Sequence, residues 1–430
     1  MQRAHLIIFG SIGAIALAAL LVIIGVIPGL KEARPKSFTL TVWSPEDPAQ
    51  LWEDISAEYR QKQAPTATFE YEKRDPKTYE AELLNALAAG EGPDIFFLRH
   101  TWLDAYRDKT TPLEDSRLGY RREDLRGTFA DGVVEEIVGE RGELLGMPLA
   151  FDTVALFYNR DYFNAANIPM PARRWEELVT QAPKLTRLLP VGTIQRSGAA
   201  LGTANNIERA PEILTALILQ SGGMLLNARQ RTAALAGPAT ESALAFYTSF
   251  SNPTKRSYSW SGLMKNSLEA FARGEAAMAF GYSSDVRTVN AINPHLNFAT
   301  APLPQIAGED AQVNVGRFDL LVVSRLSEHP DEAWAFLRWF GEGEINKRYL
   351  DTLGLPPARR DLVLSRPPRE YLVPFYDQVL SARTIPVAGG RVIAESIHAM
   401  IDAVATGRFS IQDAISRANN EIEAALRRRP

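Results

Sequence analysis

A chain of 430 residues, 46% hydrophobic and 23% charged, fills roughly two or three domains at about 150 residues each, which excludes a single small domain and global disorder. With 47 Lys and Arg against 51 Asp and Glu, its formal charge of -4 supplies no broad cationic field to hold nucleic-acid phosphates. Cysteine is absent, which removes disulfides, thiolate metal sites, a cysteine nucleophile and a lipid-modified cysteine, while His5, His100, His295, His329 and His398 are too scattered for an HExxH-like metal pair.

Residues 6–30 contain no Asp, Glu, Lys or Arg, and at about 1.5 Å per residue the run can cross a hydrocarbon layer of ~30 Å. The Ala-Leu-Ala tripeptide at 16–18 lies inside it, where cleavage would leave a greasy new terminus, so the expectation is one uncleaved, single-pass signal anchor. Arg3 precedes the run and Lys31, Arg34 and Lys36 follow it, so the charge count does not set the orientation. Residues 33–37, with Pro35 among charges, read as a tether.

Alternation from Phe38 to Trp43 predicts a strand, Ser44 to Pro48 a loop, and Leu51, Ile55 and Tyr59 a helix in which Asp47, ahead of Pro48, fits an N-cap. A strand at Thr68–Glu72, a helix through Tyr79, Leu83 and Leu87 stopping at Gly90, and a buried strand Pro93–Leu98 follow. Alternating strands and helices predict a mostly parallel sheet with ligand-facing loops at strand ends, here 43–46 and 99–102. Strands at 154–158, 276–280 and 320–323 and helices at 211–220, 242–250, 268–272, 331–340, 392–405 and 411–426 complete the pattern, with Trp175, Trp334 and Trp339 as helix-core residues.

No GxSxG elbow, Walker phosphate loop, GxGxxG fingerprint or EF-hand spacing occurs, and no metal or cofactor is expected. Several pieces resemble family 1 extracellular solute-binding proteins of ABC importers, of the maltose-binding, carbohydrate type. They are Gly90-Glu-Gly-Pro-Asp-Ile-Phe-Phe97 with Trp102, Leu145 to Phe163, Ile168 to Leu178, Gln220-Ser-Gly-Gly223, Phe271 to Met278, Ala301-Pro-Leu-Pro304 and Leu355 to Asp361, in the family's order. The resemblance implies an α/β, two-lobed periplasmic-binding-protein-like fold (type II) with an interlobe ligand cleft, preceded here by one N-terminal transmembrane helix. The expected division is 1–37 anchor and tether, 38–148 plus 302–345 first lobe, and 149–301 plus 346–430 second lobe, with crossings near Leu149 and Ala301.

The resemblance also implies capture of a carbohydrate by hinge closure without catalysis, on the outer side of the cell membrane. Its implied partners are ABC permease subunits with a cytoplasmic ATPase, and the chain is expected to be a monomer that binds no nucleic acid. Carboxylates, guanidinium groups and hydroxyls bind sugar hydroxyls, and aromatic faces pack on the ring. On the family's pattern the candidate ligand contacts are Glu46 and Asp47 after the first strand, Arg99, His100 and Trp102 after the third, Asp152 after the first crossing, Trp260, the loop Tyr282-Ser283-Ser284, and Arg317 with Phe318. Ser284 stands where the family often has a sugar-stacking aromatic, and Trp102 either stacks on a ring or packs under the next helix. Two other readings stay open: a tethered receptor reporting to a sensor partner, and a carbohydrate-active enzyme with Glu46 and Asp152 flanking the scissile bond.

Overall fold

The structure is a computed structural model that describes residues 37–45, 47–114, 122–190, 192–227, 231–308, 312–365 and 367–427. The expected anchor, the tether up to residue 36, and Glu46 lie outside the described residues. Among the described residues no helix is long and apolar enough to cross a membrane.

The strands of the two main sheets are, in chain order, β1 (Phe38–Ser44), β2 (Ala67–Lys73), β3 (Ile95–Arg99), β4 (Met147–Thr153), β5 (Ala155–Asn159), β6 (Met278–Gly281), β7 (Phe298–Ala301), β8 (Asn314–Val323) and β9 (Ala382–Arg383). The first sheet runs β9-β8-β3-β1-β2, with β4 also on β8, and the second runs β6-β5-β7. β1 pairs in parallel with β2 and β3, since the helices Ala49–Lys62 and Tyr79–Ala89 carry the chain back between them. The second helix stops at Gly90, whose φ of 80° is left-handed backbone that glycine adopts without a Cβ penalty. Asp94 then ties the start of β3 to β1, its carboxylate accepting from Thr41 N at 2.8 Å and Thr41 Oγ1 at 2.9 Å.

β8 also pairs in parallel with β9, but the remaining pairs of the two main sheets depart from the mostly parallel expectation. β8 is antiparallel to both β3 and β4, and β5 is antiparallel to both β6 and β7. β5 follows β4 with only Val154 between them, so the chain passes from the first sheet into the second without a crossover helix.

Two hydrophobic cores define two lobes. The first surrounds Trp52, which stacks on Tyr71 at 5.2 Å and Phe340 at 5.5 Å and sits with Tyr59, Trp334 and Trp339. The second surrounds Phe157, packed on Phe298 at 6.0 Å and Phe271 at 6.1 Å, with Trp175 nearby. Each fully buried aromatic contributes about 1.5–3 kcal/mol of transfer free energy to its lobe.

Core membership moves two of the expected boundaries. Val315 belongs to the second core and Phe318 to the first, so the return crossing lies inside β8, later than Ala301. Ile345, Tyr349, Leu353, Ala358 and Leu362 pack in the first core, and the second resumes at Leu372, so the chain does not change lobes at 346. Helix Gly343–Leu353 stays on the first lobe because Tyr349 packs edge-on to Phe340 at 5.2 Å while its hydroxyl donates to Asp47. Buried glutamine amides fasten the crossings. Gln378 Nε2 donates to Thr153 Oγ1 (3.0 Å) and Val154 O (3.2 Å) while its Oε1 accepts from Leu303 N (2.7 Å). Gln220 donates to Pro304 O and Val313 O and accepts from Trp175 Nε1. These side chains satisfy backbone groups that no ladder reaches.

Candidate ligand site at the lobe seam

The two crossing strands bring the site together. In the antiparallel ladder of β4 and β8, Arg317 stands opposite Asp152 and Phe318 opposite Phe151, so Asp152 and Arg317 share one face of the sheet and the two phenylalanines share the other. Above the first face lies the loop after β6. Both oxygens of Asp152 accept its backbone amides, Oδ1 from Ser283 N at 2.8 Å and Oδ2 from Ser284 N at 3.1 Å.

Asp152 is 1% exposed, and burial pushes its carboxyl up to about 6 even though Arg317 and the two amides favour the charged form. Its first effect is to fix the 282–284 loop against β4.

That loop carries Tyr282 into a stack of charges. The Arg209 guanidinium lies 4.5 Å from the Tyr282 ring centroid and that of Arg317 4.7 Å. Arg209 is bidentate to Asp285, with Nη2 to Oδ1 at 2.6 Å and Nε to Oδ2 at 3.0 Å. Burial alone would raise Asp285, but Arg209 and the Tyr282 amide hold it below the usual carboxylate range. Burial also pushes the Tyr282 hydroxyl far up, so it stays a neutral phenol.

Arg317 is the least satisfied member. Its Nη2 reaches Ser284 Oγ at 3.4 Å, and its buried Nε has no hydrogen-bond partner among the described residues. From the same loop Ser283 Oγ donates to Gly354 O at 3.3 Å, a contact from the second lobe to the end of the first-lobe helix Gly343–Leu353. The cluster therefore sits where the lobes meet.

The structure gathers five of the sequence candidates here: Asp152, Tyr282, Ser283, Ser284 and Arg317. The others go elsewhere. Asp47 is buried in the first lobe, its carboxylate accepting from Ser44 Oγ (3.0 Å), Trp52 Nε1 (2.9 Å) and Tyr349 OH (3.0 Å). The expected N-cap position of the following helix is taken by Pro48, which has no side-chain hydrogen-bonding group, and Asp47 stands one residue before it. His100 stacks on Phe318 at 4.8 Å, with Nε2 3.2 Å from Ile385 O, and burial pushes it down to about 3, leaving a neutral ring. Phe318 is thus on the core face of β8.

Trp260 is 0% exposed in the second core and its indole N–H donates to Asn206 Oδ1 at 3.0 Å, a packing role in place of the expected ligand contact. Trp102 is half-buried, with the guanidinium groups of Arg99 and Arg391 at 5.5 and 5.9 Å from its ring. Sequence reasoning missed Arg209 and Asp285, which complete the Tyr282 stack, and Arg74, whose guanidinium lies 3.6 Å over the Trp43 ring at the end of β1. Among the described residues no group of His, Asp or Glu is placed to hold a metal ion.

Comparison with known proteins agrees with this two-lobed arrangement. A family described as bacterial extracellular solute-binding protein matches residues 43–371. A binding-protein relative from Brucella abortus (strain 2308) is 22% identical over 289 residues, 65% of this chain and 66% of the relative, so the chain spans just under two thirds of that protein's length. A maltotriose-binding protein of Pyrococcus abyssi is 22% identical over 347 residues, 77% of this chain and 69% of the relative. Among solved structures, the sugar-binding protein MalE of Xanthomonas citri is similar in fold, with a TM-score of 0.74 and 22% identity over 91% of this chain and 98% of that one. The match to the family covers most of the chain, including both crossing strands and the 282–284 loop, and on that ground the chain belongs to the bacterial extracellular solute-binding protein family.

Proposed function

We propose that the chain is the solute-capturing component of an ABC importer and takes a sugar or oligosaccharide between its lobes without changing it. The observation that carries the reading is the buried Arg317 at the lobe seam, whose Nε has no hydrogen-bond partner among the described residues and whose Nη2 reaches the Ser284 hydroxyl. An unmet buried donor costs about 1–3 kcal/mol, and a ligand hydroxyl placed there returns it. The maltotriose-binding relative and the sugar-binding structural neighbour support a carbohydrate as that ligand.

Hinge bending at β4 and β8 would open and close the lobes around the solute, with the Ser283–Gly354 hydrogen bond as a contact of the closed arrangement. The apolar run 6–30 would hold the protein at the outer face of the membrane, beside permease subunits served by a cytoplasmic ATPase, with one copy of this chain binding the solute.

The test is a thermal-shift screen of the full chain against maltotriose, other mono- and oligosaccharides, polyols, amino acids and peptides, with every hit recovered and weighed by mass spectrometry. A saturable rise from one saccharide class, the ligand unaltered, is expected, since a ligand at 100 times its Kd adds about 2.7 kcal/mol to the folded state. A shift confined to another solute class removes the carbohydrate assignment, and a hydrolysed product removes the capture mechanism.

A further inference from the structure

A second place on the molecule has the same chemistry and no part in the seam. On the second lobe a cavity of about 610 Å³ is walled by Tyr158 at the end of β5, Arg160 just after it, Phe298 and Thr300 of β7, and Glu370 and Tyr371 of the loop that passes over them. The volume falls within the ~300–1,000 Å³ of small-molecule sites.

The walls combine two half-buried tyrosines with a charged pair whose geometry is open. Arg160 Nη2 and Glu370 Oε1 are 3.9 Å apart, beyond a direct hydrogen bond, and Glu370 is 92% exposed. A hydroxyl set between them can donate to the carboxylate and accept from the guanidinium at once. Among the described residues β7 is an edge strand that pairs with β5 alone, which leaves one side of its backbone without a strand partner there.

The cavity is also preformed. Thr300 Oγ1 donates to Tyr371 O at 2.7 Å and clips the loop to β7, and Arg369 Nη1 donates to the Tyr371 hydroxyl at 3.0 Å. Little ordering is therefore left for a ligand to impose. Phe298 and the nearby Phe375 pack with the second core, so the cavity belongs to one lobe and persists whether or not the lobes close.

We propose that this cavity is an accessory saccharide site, in which a sugar ring packs on Tyr158 and Tyr371 while a hydroxyl bridges Arg160 and Glu370. The proposal shares with the seam site only the class of ligand, on which reading it rests.

The test counts bound saccharides per full chain by native mass spectrometry and isothermal titration, with maltotriose, mannotriose and tagatose as probes. At least one probe should bind with two equivalents. Tyr158→Ala with Tyr371→Ala should weaken one of them tenfold or more and leave the other, while Arg317→Ala does the reverse. Tyr158 packs on Phe163 at 5.0 Å, so Arg160→Ala with Glu370→Ala, on more exposed side chains, repeats the test without opening that contact. One equivalent that responds only to Arg317→Ala overturns the accessory site and leaves the seam reading standing. One equivalent that responds only to the tyrosine and Arg160/Glu370 variants upholds the accessory site and overturns the seam reading. Binding of no probe overturns both.

Discussion

Asp152→Asn tests how the seam is held. The carboxyl moves from an ordinary 3.8 to about 6 on folding, chiefly through burial, and that difference corresponds to about 3 kcal/mol against the charged form in the folded state. Because the folded value lies above the unfolded one, the folded protein binds the extra proton between them. The stabilising contribution is complete below about pH 4 and is lost as pH rises through about 6. Asparagine cannot titrate, so the variant lacks this step. Plotted as the difference between wild type and variant, stability should shift in the variant's favour by up to about 3 kcal/mol between pH 4 and pH 8.

Taking the difference also cancels other titrations, such as that of Glu136, which burial pushes up to about 7 in the same direction. The assay is urea unfolding of both proteins across that range. A pH-independent difference would mean that Asp152 is not held in a desolvated pocket under the Ser283 and Ser284 amides. A difference of opposite sign would mean that Arg317 and the amides outweigh burial.

Two further substitutions separate binding from packing. Arg317→Ala should lower affinity for the saccharide found in the screen by about tenfold or more, near 1.4 kcal/mol, and Arg317→Lys should not restore it, because an ammonium cannot supply the Nε donor in its fork geometry; isothermal titration reads both. Asp285→Ala strips the buried Arg209 of its bidentate partner and should cost about 3–5 kcal/mol of stability in chemical denaturation, with Asp285→Asn costing less.

Much of the scaffold could be read from local pattern. The alternation at 38–43, the stop at Gly90 and the apolar spacing around Trp175, Trp334 and Trp339 depend on neighbours within a turn or two, and these are signals that sequence carries directly. Strand direction was less legible. The antiparallel entry of β8 between β3 and β4 depends on a return crossing, which periodicity does not encode.

At the site, the loop 282–284 and its partner Asp152 were marked by resemblance, but their joint geometry links positions 131 residues apart. Arg209 and Asp285 lie 76 apart, and Tyr349 meets Asp47 across 302 residues, so nothing in either local stretch distinguishes these pairs from surface charges or core rings. Trp260 and Phe318 show the converse limit. An aromatic at a strand or loop position has the same composition whether it stacks on a sugar or fills a core, and only burial tells the two apart.

The central claim is that a saccharide is held at the seam between the lobes. Hydrogen exchange of the full chain, followed by mass spectrometry with and without the saccharide from the screen, reads that location directly. Slowed exchange should concentrate in 152–153, 282–284, 316–318 and the end of the helix at 353–355, from both lobes together. Protection that leaves these segments unchanged while the saccharide is demonstrably bound would place the ligand elsewhere and contradict the account.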